Sequence, residues 1–255
     1  MIACEIVGSG GPYSIFVHGW LRAGSAFDPL KAIACAHSQR WILVDLRGYG
    51  RSRGEAGLYT VDEAADDLIR LADALAIPRA RWVGHSMGGL VIQKVAEKAP
   101  ARVTDLVGIA PVPRSGIALD PRAHELYEAS CHDPEARTRI LRHLAAGIRF
   151  EPPPESWIAT SLRETIPGAL RAYLESWGRV ERVPDPARPC PIPMTLLVGS
   201  RDPAITDALI EREFVPAYPA LTIHRIEDAG HFPIEEQPDA LCAYFSRSNE
   251  ASGSQ

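Results

Sequence analysis

One pentapeptide of the chain places a serine between glycines at the spacing used in acyl transfer. Gly84-His85-Ser86-Met87-Gly88 fits the pattern G-x-S-x-G. In the strand–turn–helix setting of a nucleophile elbow, such a serine is exposed at a sharp turn and can attack a carbonyl carbon. The neighbouring sequence has this order, because an apolar run at 81–83 precedes the motif and a helical pattern at 90–99 follows it. We therefore predict that Ser86 is a nucleophile.

A serine hydroxyl reacts at neutral pH only when a neighbouring base takes its proton, and histidine is the usual base. Of the eight histidines, His231 follows the last predicted strand and precedes the terminal helix. His18 lies in a glycine turn that is needed for another purpose, and His85 adjoins the nucleophile with its side chain directed elsewhere. The other five lie in helical segments or inside a strand. His231 is therefore the predicted base.

The third member of such a site is a carboxylate that orients the imidazole and stabilises its charged form. In this architecture the acid lies between the serine and the histidine along the chain. Asp202 meets that condition, in a turn directly after the predicted strand at 194–198. Asp207 is the alternative, although it falls at the next predicted helix. Asp228 is too close along the chain to His231 to reach its ring.

Loops after two early strands complete the predicted site. Acyl transfer needs N–H donors for the oxyanion, and the residue after the nucleophile, Met87, supplies one. The second predicted donor is the N–H of Trp20, in a loop that the His18 side chain ties down. Asp45 also ends a strand but precedes the serine along the chain. We expect Asp45 to brace its own loop, together with Arg47.

The elements that must position these residues form an α/β pattern. Short apolar runs alternate with amphipathic stretches, which predicts parallel β-α-β units. Between 113 and 189 no strand pattern appears. We predict a core of residues 1–112 and 190–247, a helical lid at 113–189 and a flexible tail at 248–255. The predicted strands are 13–17, 41–44, 81–83, 103–110, 194–198 and 221–226, and the predicted helices are 61–75, 90–99, 123–130, 135–146, 155–165 and 169–180.

The composition argues against several classes of protein. A chain of 255 residues that is 46% apolar can form one large α/β domain. Its net charge of −5 argues against a nucleic-acid or anionic-membrane partner. The five scattered cysteines form no C-x-x-C pair, so we expect free thiols in the cytoplasm. We find neither a signal peptide nor an apolar run of about 20 residues. Arginine replaces lysine at all but three basic positions, which is typical of GC-rich bacterial genes.

Taken together, five motifs resemble those of the α/β-hydrolase superfamily, and in particular its small bacterial esterases, lactonases, cofactor-free haloperoxidases and C–C bond hydrolases. The resemblance implies a mostly parallel, twisted sheet of about eight strands, one early strand being abbreviated. It also implies helices on both faces of the sheet and a helical lid inserted late in it. The motifs are His18-Gly19-Trp20, Asp45-Leu46-Arg47-Gly48-Tyr49-Gly50-Arg51-Ser52, Gly84-His85-Ser86-Met87-Gly88-Gly89, Gly199-Ser200-Arg201-Asp202 and Gly230-His231-Phe232.

The predicted function is cleavage of a carboxylic ester or lactone, a small-molecule acyl substrate, through an acyl-enzyme. Neither a metal nor an organic cofactor is expected. Tyr127, Trp157 and Trp177 are candidates for the pocket wall, with packing of the lid onto the core as the alternative for each. The same triad can cleave C–C bonds, thioesters or amides, or make peracids. A non-catalytic receptor is less favoured, because all three triad residues are present. The oligomeric state is left open.

Overall fold

The computed structural model describes residues 1–37, 39–145, 155–178 and 189–247. In these residues seven strands form one sheet, and every neighbouring pair is parallel except β1 and β3. The spatial order is β1-β3-β2-β4-β5-β6-β7. The strands are β1 (Cys4–Val7), β2 (Tyr13–Val17), β3 (Arg40–Val44), β4 (Ala80–His85), β5 (Val103–Ile109), β6 (Met194–Gly199) and β7 (Leu221–Ile226).

The predicted α/β fold is confirmed, but the expected number of about eight strands is one too many for the described residues. The edge of the sheet next to β3 consists of the single antiparallel strand β1. The helices are α1 (Lys31–Ala36), α2 (Val61–Ala74), α3 (Met87–Lys98), α4 (Pro121–Ser130), α5 (Pro134–Leu144), α6 (Glu155–Glu164), α7 (Pro167–Gly178), α8 (Asp207–Leu209), α9 (Pro233–Glu236) and α10 (Pro238–Arg247). Short 3₁₀ segments occupy Gly24–Leu30, Gly50–Ser52 and Pro100–Arg102, and a π-helical turn, Ile210–Phe214, follows α8.

The apolar strands divide the core into two clusters, because successive side chains of a strand point to opposite faces of the sheet. Ile15 and Val17 of β2 belong to the cluster that includes the apolar faces of α2 and α3. Phe16, between them, belongs to the cluster formed with Phe27, α1 and α10. Both faces of the central strands are therefore covered by helices, which explains why their sequences are apolar without alternation.

The parallel strands bring the predicted site residues to one edge. Ser86 follows β4, Asp202 lies in the turn after β6, and His231 lies in the loop after β7. The carboxyl ends of parallel strands meet at the same edge of a sheet, where ligands bind in doubly wound folds. These residues, which are far apart along the chain, therefore converge there.

The turn from β4 to α3 contains only one residue, Ser86. Its φ of 51° and ψ of −116° lie in a region that residues other than glycine rarely adopt. Close packing permits this turn only with small neighbours. A side chain at Gly88 would overlap the carbonyl oxygen of Val17 and lie 2.6 Å from that of His18. Because the turn has no further residues, α3 begins at Met87, three residues before the predicted start.

In the described part of the segment between β5 and β6 there are four helices, α4 to α7. Asp120 caps α4 by accepting hydrogen bonds from the N–H groups of Arg122 and Ala123. The buried Arg137 of α5 donates to the carbonyls of Ser130 and Cys131 and to the hydroxyls of Ser161 and Thr165, so it joins α5 to the end of α4 and to α6. Residues 146–154 and 179–188 of the predicted lid, and the predicted tail at 248–255, lie outside the described residues. None of the described helices is long and apolar enough to cross a membrane.

We predict that Gly88→Ala destabilises the protein, because the new methyl group meets backbone atoms of β2 that cannot move away. The expected loss in the free energy of unfolding is about 1–3 kcal/mol, measured by denaturant unfolding. Gly168→Ala is the matched control, because a side chain there, in α7, meets nothing within 4 Å. It should leave the stability unchanged or raise it by up to about 1 kcal/mol. Equal stabilities of the two variants would contradict this account of the turn.

Candidate active site

Three of the predicted residues form one hydrogen-bonded series. The Ser86 hydroxyl lies 2.9 Å from His231 Nε2, and His231 Nδ1 lies 2.9 Å from Asp202 Oδ2. Asp202 and His231 are buried, and Ser86 is partly exposed. With Nδ1–H donating to the carboxylate, Nε2 is left as an acceptor for the serine proton. This is the arrangement by which a base activates a hydroxyl nucleophile.

The structure separates Asp202 from the alternative acids. Asp207 is the first residue of α8, is exposed and pairs with Arg225. Asp228 is exposed as well and pairs with Arg201 at 2.8 Å. Of the carboxylates considered from the sequence, Asp202 is therefore the one that contacts the ring of His231.

Asp45 braces its loop as expected, but its partner is different. It accepts hydrogen bonds from the N–H of Gly24 at 2.8 Å and from Nε of Arg51 at 2.6 Å. The expected partner Arg47 instead forms a two-fold contact with Asp67 of α2, at 2.5 and 2.9 Å. The arginine directly after Gly50, and not the one directly before Gly48, contacts Asp45.

Several donors keep the carboxylate of Asp202 ionised. Burial by itself raises its pKa, but the attraction of His231 and the hydrogen bonds from His231, Ala204 and Ile205 outweigh burial. The pKa of Asp202 therefore lies below its ordinary value. An ionised acid at this position can hold the imidazole in one tautomer and stabilise its charged form.

His85 is a residue of the site whose role the sequence did not indicate. Its Nε2–H donates to the backbone carbonyl of His231 at 2.8 Å. Burial, together with repulsion from His231, lowers the pKa of His85 to about 3, so its ring stays neutral. The residue next to the proposed nucleophile thus holds the loop that carries the proposed base.

Glu236 of α9 holds the same loop from the other side. Its Oε2 accepts the N–H groups of Gly230 and Phe232, each at 3.0 Å, and these two residues flank His231. Burial raises the pKa of Glu236 to about 7, although both N–H donors act against that rise. The loop therefore has a buried acceptor beneath it and the His85 donor beside it.

Of the two predicted oxyanion donors, Met87 directly follows Ser86 and Trp20 lines the pocket that contains it. Within the described residues, neither the N–H of Trp20 nor that of Met87 makes a hydrogen bond. Gly19 lets the loop that contains Trp20 approach Ser86 closely, because a side chain at position 19 would lie 3.3 Å from Ser86 Cβ. His18 secures the loop, since its Nε2 accepts the N–H of Leu46 at 3.1 Å and its Nδ1 lies 2.9 Å from the Gly19 carbonyl.

A pocket of about 480 Å³ opens at Ser86 and His231. Of the three predicted wall residues, Tyr127 and Trp177 line it, together with Trp20 and apolar side chains of α4 and α5. Trp157 does not line it, so that prediction is wrong. Its ring packs behind the wall, 5.2 Å from the ring of Phe232.

No group of three or more His, Cys, Asp or Glu side chains in the described ranges is arranged to hold a metal ion. The cysteines in those ranges are free thiols.

Residues 15–244 match the sequence model of a family described as the alpha/beta hydrolase family. This chain belongs to the alpha/beta hydrolase family. It is 28% identical over 253 residues to a pimeloyl-[acyl-carrier protein] methyl ester esterase of Klebsiella pneumoniae, covering 93% of each chain. It is 29% identical over 204 residues to 3-oxoadipate enol-lactonase 2 of Acinetobacter baylyi, covering 78% of this chain and 74% of that one.

A solved structure shows the same fold. The crystal structure of the enol-lactonase from Burkholderia xenovorans is 22% identical to this alpha/beta hydrolase, with a TM-score of 0.80. The match covers 95% of this chain and 94% of that one. Family membership, together with the Klebsiella and Acinetobacter relatives, identifies the chain as an enzyme of the alpha/beta hydrolase family.

We predict that the stabilising effect of Asp202 depends on pH. Its pKa lies below the ordinary value of about 3.9, so the native state binds this proton less tightly than the unfolded chain does. The stabilisation is therefore present above about pH 4 and is lost as the pH falls through the native pKa. Asp202→Asn should lower the free energy of unfolding at pH 5, and the difference from wild type should shrink towards pH 2.5.

Denaturant unfolding of both proteins at the two pH values measures this difference. Asp207→Asn is the control, because that carboxylate is exposed and lies outside the series. It should change the stability little at either pH. A difference between wild type and Asp202→Asn that is the same at pH 5 and pH 2.5 would contradict the prediction.

Proposed function

We propose that this alpha/beta hydrolase cleaves a carboxylic ester or lactone through an acyl-enzyme on Ser86. The observation that carries the proposal is the hydrogen-bonded series from Ser86 through His231 to Asp202, which opens into a largely apolar pocket. Nucleophile, base and orienting acid stand in the relation that acyl transfer requires. The names of the Klebsiella and Acinetobacter relatives, an ester esterase and an enol-lactonase, favour the same class of bond.

In the first step the Ser86 hydroxyl attacks the substrate carbonyl while His231 Nε2 takes its proton. The negative charge that develops on the carbonyl oxygen is stabilised by the N–H groups of Trp20 and Met87, which have no other partner in the described residues. The Met87 N–H also lies at the positive end of α3. Asp202 stabilises the imidazolium of His231 until that imidazolium gives its proton to the leaving alcohol.

In the second step a water molecule attacks the acyl-enzyme. His231 takes a proton from that water as it took one from the serine. It then gives this proton to the Ser86 oxygen as the bond between that oxygen and the acyl carbon breaks, which releases the acid and restores the serine hydroxyl. No other group needs to change its protonation state. Neutral His85 holds the backbone of His231 in place during both steps.

The helices between β5 and β6 form the proposed lid. Tyr127 of α4, Leu144 of α5 and Trp177 of α7 line the pocket with Ser86. The N–H of His231 also donates to the carbonyl of Leu144 at 2.9 Å, so the lid contacts the base directly. A pocket of about 480 Å³ with aromatic walls suits a small or medium acyl group.

We predict that Ser86→Ala abolishes ester hydrolysis. Turnover of a p-nitrophenyl ester should fall by at least about 1,000-fold, because no other hydroxyl in the described part of the pocket is paired with His231. Labelling by a fluorophosphonate should disappear in the same variant. Ser246→Ala is the control, since that serine bonds within α10, away from the pocket. Unchanged turnover and labelling in Ser86→Ala would rule out the proposed mechanism.

A further inference from the structure

Arg22 is a charged residue in the wall of the pocket that the proposed mechanism does not use. It lies two residues after Trp20 in the same loop, and its side chain is only 7% exposed. Among the lining residues in the described ranges it is the only arginine or lysine. Arg22 therefore places a cationic hydrogen-bond donor in a largely apolar wall.

The guanidinium is held in place by two neighbours. Its Nη2 lies 2.7 Å from Oε1 of Glu235, and its carbon lies 4.9 Å above the ring of Trp157. Yet Nε and Nη1 of Arg22 are buried and have no hydrogen-bond partner in the residues that the structure describes, and the same is true of both carboxylate oxygens of Glu235. Buried N–H donors are nearly always satisfied, and leaving a charged group's donors unpaired is costly. Because Arg22 lines the pocket, a group that reaches the guanidinium from the pocket can supply the missing acceptor.

The charge of Glu235 limits what that acceptor can be. Burial raises the pKa of Glu235, and the positive charge of Arg22 only partly offsets that rise. The 2.7 Å contact between Arg22 Nη2 and Glu235 Oε1 is nevertheless that of an ion pair. With both groups ionised the pair is neutral. A substrate carboxylate would add an unbalanced buried charge, which is unfavourable. A neutral carbonyl oxygen would satisfy the free N–H groups and add none.

We propose that Arg22 selects substrates by donating hydrogen bonds to a second, neutral carbonyl oxygen, separate from the carbonyl that Ser86 attacks. This inference rests on the proposed function, because it concerns the substrate of the same pocket. Glu235 balances the charge of Arg22 and fixes one edge of the guanidinium. Trp157, which does not line the pocket, holds the flat face of the guanidinium from behind.

The test compares p-nitrophenyl hexanoate with the same ester carrying a ketone at carbon 3, 4 or 5. For the wild type we expect kcat/KM to be about ten-fold higher for at least one keto ester than for hexanoate. In Arg22→Met/Glu235→Leu, which replaces the ion pair by apolar side chains, this ratio should fall to about one. Arg163→Met is the matched control: that arginine lies in α6 with Trp157 but is 65% exposed, and the ratio should stay at the wild-type value.

A second variant tests the charge argument. Glu235→Gln keeps Arg22 but removes the balancing charge. For this variant, kcat/KM for the mono-p-nitrophenyl ester of adipic acid, which carries a carboxylate, should rise about ten-fold relative to kcat/KM for p-nitrophenyl hexanoate. A wild type that already prefers this anionic ester, or a Glu235→Gln variant that gains nothing for it, would overturn the assignment of a neutral acceptor.

Calorimetry in a Ser86→Ala background separates this inference from the proposed function. There the keto ester is bound without being cleaved, and adding Arg22→Met/Glu235→Leu should weaken its binding about ten-fold while Arg163→Met does not. If the wild type cleaves no hexanoate ester, the proposed function fails, and the binding measurement still decides the role of Arg22. Equal affinities with and without the Arg22–Glu235 pair would overturn it.

Discussion

The left-handed backbone at Ser86 is the constraint on which the remainder of the site depends. The chain passes from β4 to α3 through a single residue whose φ is 51°. Such a conformation is costly for a residue with a side chain and persists only where surrounding structure enforces it. Here the small residues Gly84 and Gly88 let α3 press against β2 and β4. The result is a hydroxyl that projects from the edge of the sheet, with the positive end of a helix directly behind it.

A nucleophile held this rigidly is useful only if its partners are held equally well, and they lie on loops. The described structure secures two of these loops, those of His18 and His231, with buried polar contacts to neighbouring parts of the chain. His18 accepts the N–H of Leu46, His85 donates to the carbonyl of His231, and Glu236 accepts the N–H groups on either side of that histidine. Buried polar groups of this kind are costly when unpaired, so each contact favours one arrangement of the loops.

The fold and the proposed triad could be predicted from the sequence because their signatures are local. Strands and helices have their own periodicity, the elbow is contiguous, and chain order restricts the acid and the base. The partners of the loops could not be predicted in this way. His85 and His231 are 146 residues apart, and only the folded sheet brings them together. Trp157 was misplaced for a related reason, since an aromatic residue on an amphipathic helix can line a pocket or pack behind its wall.

Chemistry and selectivity are less separate in this enzyme than the proposed division into core and lid suggests. Trp20, the proposed oxyanion donor, and Arg22, the proposed selecting residue, belong to one short loop of the core. Both also contact the inserted helices: Trp20 Nε1 donates to the carbonyl of Leu170 in α7 at 2.8 Å, and Arg22 packs on Trp157 of α6. A substrate oxygen bound by Arg22 would thus stiffen the loop that supplies the oxyanion donor. Substrate binding to Arg22 would then strengthen the hydrogen bond from the Trp20 N–H to the oxyanion, because Arg22 and Trp20 depend on the position of the same backbone.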